Sequence, residues 1–219
     1  MTFILDSMID TEMSQGNVFG LFPTPLGQYK LPPLTKSQYK FVLGQDNKIN
    51  RSNRISLSKS ILEDKLMAGV KSKIESCLTE YFKLAVSSNP NLKLRMTQSW
   101  SNYTGVGENH HKHSHSNSVI SGVYYVQTLD TDAITFHHKD RSNYHWDVGS
   151  PDLNAFNSSS WWMPTPQDSL MLFPSELVHS VSSRKTKDEN APDRISISFN
   201  TFYTGEIGND DDATKLVLP

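Results

Sequence analysis

Residues Arg194 to Asn200, Arg-Ile-Ser-Ile-Ser-Phe-Asn, alternate polar and apolar side chains without a break. Successive side chains of an extended chain point to opposite faces. This run is therefore a strand with Ile195, Ile197 and Phe199 on one face and Arg194, Ser196, Ser198 and Asn200 on the other. The apolar face needs a core. The polar face either meets solvent or lines the inside of a barrel. In the second case its guanidinium makes a carboxylate-binding pocket, because Arg grips a carboxylate bidentately.

The strand closes a chain whose texture changes once. Residues 1–20 carry little pattern and read as an arm. Two close prolines, Pro23 and Pro25, force extended chain into a domain spanning 21–207. Residues 36–42 suit a short helix and 43–58 read as a polar loop. Over about 57–86, apolar residues from Ile61 to Ala85 recur at three and four. That spacing predicts one helix capped by Ser58 or Ser60, with Glu63 completing a capping box. From Leu92 on, strands are expected at 92–103, 119–126, 133–136, 169–173 and 194–203. A long insertion, 137–168, holds Trp146, Trp161 and Trp162 and serves either as a lid or substrate wall, or as a packing plug. Residues 208–219 form an acidic tail, expected to be loosely ordered. Helices followed by antiparallel strands predict a mainly β protein of α+β type, a sandwich or jelly roll with helices on one face.

Composition sets limits. A net charge of −2 gives no general basic face, so nucleic acid is not the expected partner. The single cysteine, Cys77, excludes an internal disulfide framework and a Cys-rich zinc site, and it reads as a packing residue. No stretch approaches the roughly 20 apolar residues of a membrane helix, and the N-terminus lacks the layout of a signal peptide. A cytoplasmic location is expected.

Four of the eight histidines, His110, His111, His113 and His115, lie within six positions. Such a cluster can be a polar loop. However, His113 and His115 are spaced i, i+2 just before a strand, so both can face one ion. His111 and His113 offer a shifted alternative. His110 and His111 lie further from the strand and are less well placed. His179, after the strand 169–173 and a turn, supplies a distant third imidazole. Three protein ligands leave coordination positions open. Three imidazoles suit iron or zinc.

The stretches His113–Val126 (H-x-H-x-x-S-x-I-S-G-V-Y-Y-V), Leu170–Val181 (L-x-L-F-P-S-x-L-x-H-x-V) and Arg194–Asn200, with Leu21–Leu26 ahead of them, together resemble the 2-oxoglutarate–Fe(II) oxygenase family related to prolyl 4-hydroxylases. The resemblance spans roughly 21–203. It implies a cupin-like double-stranded β-helix that uses Fe(II), O2 and 2-oxoglutarate. It implies His113, His115 and His179 as metal ligands, His115 standing where most of the wider superfamily has a carboxylate. Arg194 then pairs with the far carboxylate of 2-oxoglutarate, with Ser196, Tyr103 and Tyr125 lining that pocket. The implied activity is a dioxygenase that hydroxylates a C–H bond of a protein or small-molecule substrate and releases succinate and CO2. A homodimer is compatible with all of this. The competing readings are a cupin-like three-histidine metalloprotein without 2-oxoglutarate, and a non-catalytic β-barrel that binds a carboxylate or peptide.

Overall fold

The structure, a computed structural model, describes residues 19–86, 90–138, 149, 152–183, 188 and 190–219. Most of the expected arm, 1–18, and Trp146 lie outside the described residues.

Among the described residues, twelve strands form two antiparallel sheets. The larger contains β1 (Gly27–Lys30), β2 (Asn47–Asn50), β3 (Asn53–Ser56), β4 (Leu92–Thr104), β6 (Ile120–Gln127), β9 (Ser169–Pro174), β11 (Arg194–Ile207) and β12 (Leu216–Leu218). Its order is β1-β9-β6-β11-β4-β3-β2, with β12 beside the end of β11. The smaller sheet runs β5-β10-β7-β8, from β5 (His110–His113), β10 (Val178–Val181), β7 (Ala133–His137) and β8 (Ser160–Pro164).

The central strand is β11, paired with β4 along twelve registered residues and with β6 on its other side. Both of its faces are buried. Ile195, Ile197 and Phe199 join Leu170, Leu172 and Tyr124 in a core that also takes Ile74, Leu78 and Tyr81. Those last three come from α2 (Ala68–Ala85), whose buried residues recur at four and three. The opposite face turns toward the small sheet. There Tyr125, Met171 and Phe173 meet Ile134 and Phe136 in a second core. The polar alternation of β11 thus faces the interior between two sheets.

Several local expectations are corrected. The 57–86 segment is not one helix. Two single 3-10 turns, Ile61–Glu63 and Lys65–Met67, precede α2. Ser60 caps nothing with its side chain, because residues 59–62 are tied to β4: Ser99 N–H donates to Lys59 O, and the Ser99 hydroxyl accepts from Leu62 N–H. Tertiary hydrogen bonds outweigh the helical periodicity. The true capping box is at α1 (Lys36–Leu43), where Thr35 and Gln38 bond reciprocally. The 43–58 loop is a β-hairpin, β2–β3, in which Asn-Lys-Ile-Asn carries no readable alternation. The acidic tail is partly ordered, since β12 pairs with Gly205–Ile207. The insertion contains β8, with Trp161 opposite Phe136 and Trp162 opposite Thr135. Among the described residues no helix is long and apolar enough to cross a membrane.

Gly122 lets Phe199 and Leu172 of the helix-side core close over β6. It sits opposite Phe199 and Leu172, and a Cβ there would run into the Phe199 ring and stand 2.8 Å from Leu172 Cδ2. Both neighbours are fully buried and have nowhere to go. Gly122→Ala is therefore expected to destabilise the fold by about 1–3 kcal/mol, measured by urea denaturation; an unchanged midpoint would refute this packing account.

Candidate active site

The space between the sheets narrows into a cleft. Its walls are β11 and β4 on one side and β5 and β10 on the other, with His113, His115, His179, Arg194, Ser196 and Tyr125 among its lining. Five of these six come from strands distant in sequence, and sheet pairing assembles them.

His179 on β10 is registered directly opposite His113 on β5. His115 lies past the end of β5, and its backbone N–H donates to Ser175 O at 2.9 Å. The H-x-H pair therefore converges because a loop is pinned, not because two side chains share one strand. The ligand atoms of His113, His115 and His179 all lie within 4.8 Å of one another. The rings of His115 and His179 are stacked 9° from parallel, with their Nε2 atoms 3.4 Å apart.

Tautomers follow from the partners. A carbonyl oxygen only accepts, so His113 Nδ1–H donates to His111 O at 2.7 Å and His179 Nδ1–H donates to Leu177 O at 2.9 Å. Each ring is left with its lone pair on Nε2. Burial, reinforced by the neighbouring His113, lowers His115 to about 4 and His179 to about 3 from the ordinary 6.5. Both are neutral at pH 7. His113 and His179 thus present Nε2 lone pairs in a space where His115 Nε2 also lies, 3.4 Å from His179 Nε2. The donor set thus fits a divalent transition metal, and carbonyl-oriented rings are how proteins hold such ligands.

A run of hydroxyls lies behind His115. Ser121 donates to Asn200 Oδ1 at 2.9 Å, and Ser175 bonds Ser121 at 2.8 Å and Ser118 at 2.7 Å. Asn200 also hydrogen-bonds His115. Ser118, Ser121, Ser175 and Asn200 are the polar positions of the three motifs, and together they orient the third imidazole. The sequence reading had no role for this network, because its members join only when β6, β9 and β11 lie side by side. Trp100 stacks on His115 at 5.9 Å, and Phe173 meets His179 edge-on at 4.8 Å.

At the other end of the cleft Arg194 is buried, with Nη1 3.7 Å from Oδ1 of the equally buried Asp132. Burial raises the Tyr125 phenol well above its ordinary range, against the pull of Arg194, so it remains a donor. Ser196 is registered beside Tyr125 on the same face. Tyr103 is not part of this pocket. It pairs with Ile195, not Ser196, so it faces the helix-side core, where its hydroxyl donates to Val42 O at 2.6 Å. The correction is one of parity: its neighbours Asn102 and Thr104 line the cleft instead.

His110 was expected to be less well placed than His113 and His115. It lines the cleft and stacks on His113 at 4.5 Å and 22°. The cause is an irregularity in β5: His179 pairs with His113 and Val181 with His110, so β5 advances three residues while β10 advances two. Such a bulge re-aims side chains, and alternation cannot foresee it. Of the insertion's tryptophans, Trp161 and Trp162 are 48% and 65% exposed, which does not suit a packing plug.

A family model described as "Putative 2OG-Fe(II) oxygenase" matches residues 98–200. In that stretch the chain is similar to 2-oxoglutarate–Fe(II) oxygenases. The matched stretch contains all the lining of the metal-competent triad and β11 as far as Asn200. Comparison with curated proteins gives no match. Among solved structures, the chain is similar to an oxidoreductase of the 2OG-Fe(II) oxygenase family from Burkholderia pseudomallei, at 8% identity over 80% of this chain and 84% of that one, TM-score 0.54. It is similar to the non-heme alpha ketoglutarate dependent epimerase SnoN of nogalamycin biosynthesis, at 12% identity over 88% and 81%, TM-score 0.53. It is also similar to HygX from Streptomyces hygroscopicus, solved with nickel and 2-oxoglutarate bound, at 9% identity over 81% and 82%, TM-score 0.51. At such identities the likeness is one of fold, the double-stranded β-helix.

Two outcomes test this geometry. Tyr103→Phe removes only the bond to Val42 O, so it costs about 1 kcal/mol of stability and leaves 2-oxoglutarate affinity unchanged; a raised KM would return Tyr103 to the pocket. The second concerns pH. An unfolded histidine takes up its proton near 6.5, whereas the folded His115 and His179 wait until about 4 and about 3. The unfolded chain thus holds more protons in this window, and stability falls as pH drops from about 6.5 toward about 4. Melting curves of chelator-treated protein should show that slope, and His179→Gln should flatten it.

Proposed function

We propose that the protein is a 2-oxoglutarate- and Fe(II)-dependent dioxygenase that hydroxylates a C–H bond of a protein or small-molecule substrate, releasing succinate and CO2. One observation carries the reading. Three neutral imidazoles converge in the same dry cleft that holds a buried guanidinium, within a stretch matching an oxygenase family. His113, His115 and His179 would hold the iron. The iron, when bound, supplies the activation of O2 coupled to decarboxylation of the cosubstrate.

The remaining work falls to the chain. Arg194 would hold the far carboxylate of 2-oxoglutarate, and Tyr125 and Ser196 would offer it O–H donors. Phe173 and Ile134, which line the cleft, would help keep bulk water from it. Across the small sheet, His179 pairs with Phe136 and Phe136 with Trp161. These three share a face, so half-exposed Trp161 would form part of the wall along which substrate approaches.

The Asp132–Arg194 pair favours a second reading, a three-histidine metalloprotein that does not use 2-oxoglutarate, because the guanidinium already has a carboxylate neighbour. Titration separates the two. Under anaerobic conditions the Fe(II) protein is expected to develop a metal-to-ligand charge-transfer band on addition of 2-oxoglutarate, and His179→Ala to lose it. Loss of a charged hydrogen bond, about 2 kcal/mol or more, predicts that Arg194→Ala raises the KM for 2-oxoglutarate roughly 30-fold or more. A wild-type rate of 2-oxoglutarate consumption in Arg194→Ala would sink the proposal. Residual structure-wide effects are separated by Asp132→Asn, which should leave the band intact.

A further inference from the structure

Two groups of histidines among the described residues have ligand atoms within 4.8 Å of one another, and both include His113. One is His113–His115–His179. The other is His110–His111–His113. The second group exists because of the bulge in β5. Consecutive residues of a regular strand point to opposite faces, but at a bulge two can turn to the same side. The ring centroids lie 5.3 Å apart for His110 and His111, 4.5 Å for His110 and His113, and 4.9 Å for His111 and His113. His111 Nδ1 is buried and has no hydrogen-bond partner. A buried polar atom left unpaired is costly, and a bound ion would satisfy it.

His113 cannot serve both groups at once. Its Nδ1–H is spent on His111 O, which leaves the single lone pair of Nε2. We propose that His110, His111 and His113 form a second divalent-cation position, suited to Zn2+ by its three imidazoles, whose occupation excludes an ion from His113–His115–His179. If the functional reading above holds, zinc at this position disables the oxygenase by drawing His113 away. The existence of the second position does not depend on that reading.

The test is metal binding, not turnover. Zn2+ and Co2+ are dialysed against wild type, His111→Ala, His179→Gln and the double variant, with bound metal counted by mass spectrometry and Co2+ geometry read by visible absorption. Circular dichroism checks that each variant is folded. His111→Ala keeps its backbone carbonyl, so His113 stays oriented. Wild type is expected to bind one ion and not two. Each single variant should still bind one, with Co2+ spectra that differ from each other, and the double variant should bind at least 100-fold more weakly. If His179→Gln binds as poorly as the double variant, the second position is overturned while the first triad stands. If His111→Ala alone loses the ion, the second position holds and the first triad fails. Two ions bound to wild type would overturn the sharing of His113.

Discussion

Everything in this molecule hangs on a central strand that is buried on both faces for different reasons. Ile195, Ile197 and Phe199 are removed from water against α2 and its neighbours, and that burial holds β11 in register between β4 and β6. The same register leaves Arg194, Ser196, Ser198 and Asn200 no choice but to face the small sheet. A one-residue slip would exchange the two sets. The apolar side thus supplies the stability with which the polar side is held out of water.

Burying polar groups is costly unless each finds a partner. The cleft meets this requirement unevenly. Asn102 donates to Ser198, Asn200 accepts from Ser121, and the serine chain continues to Ser118. The chain from Asn200 to Ser118 fixes His115, whereas Asn102 Oδ1 is buried with no hydrogen-bond partner. His113 and His179 each donate Nδ1–H to a carbonyl two residues back in the chain. Their Nε2 atoms and a ligand atom of His115 lie within 4.8 Å of one another, where burial lowers the pKa of all three rings. A site arranged this way is poised to bind a cation. The bulge in β5 widens that capacity, because it adds His110 and His111 to the same side of the strand.

Much of this was legible beforehand, and the failures share a cause. Arg194 and Ser196 were readable because an uninterrupted alternation states its own faces. His113, His115 and His179 were readable as types at a spacing. Tyr103 was misplaced because its face depends on its pairing with Ile195, which is a fact about β11 and not about β4 alone. The start of the helix expected from residue 57 gave way to two short turns ahead of α2, because Ser99 on a strand nearly forty residues away claims the N–H that a helix cap would have used. The hairpin β2–β3 was invisible: its edge strand has no buried face to impose a pattern.

By itself, then, the sequence determined the passage from helices to a run of strands, the two-faced character of β11, and a set of imidazoles and one guanidinium able to serve a metal and a carboxylate. These depend on local periodicity and on side-chain chemistry, which any chain carries with it. The tertiary structure alone decided which ligand atoms converge, that serines from two motifs and Asn200 from the third orient His115, and that His110 enters the cleft. Those outcomes depend on register across sheets and on one extra residue in β5. A hydrogen-bonded ladder determines such things only when strands far apart in the chain are laid side by side.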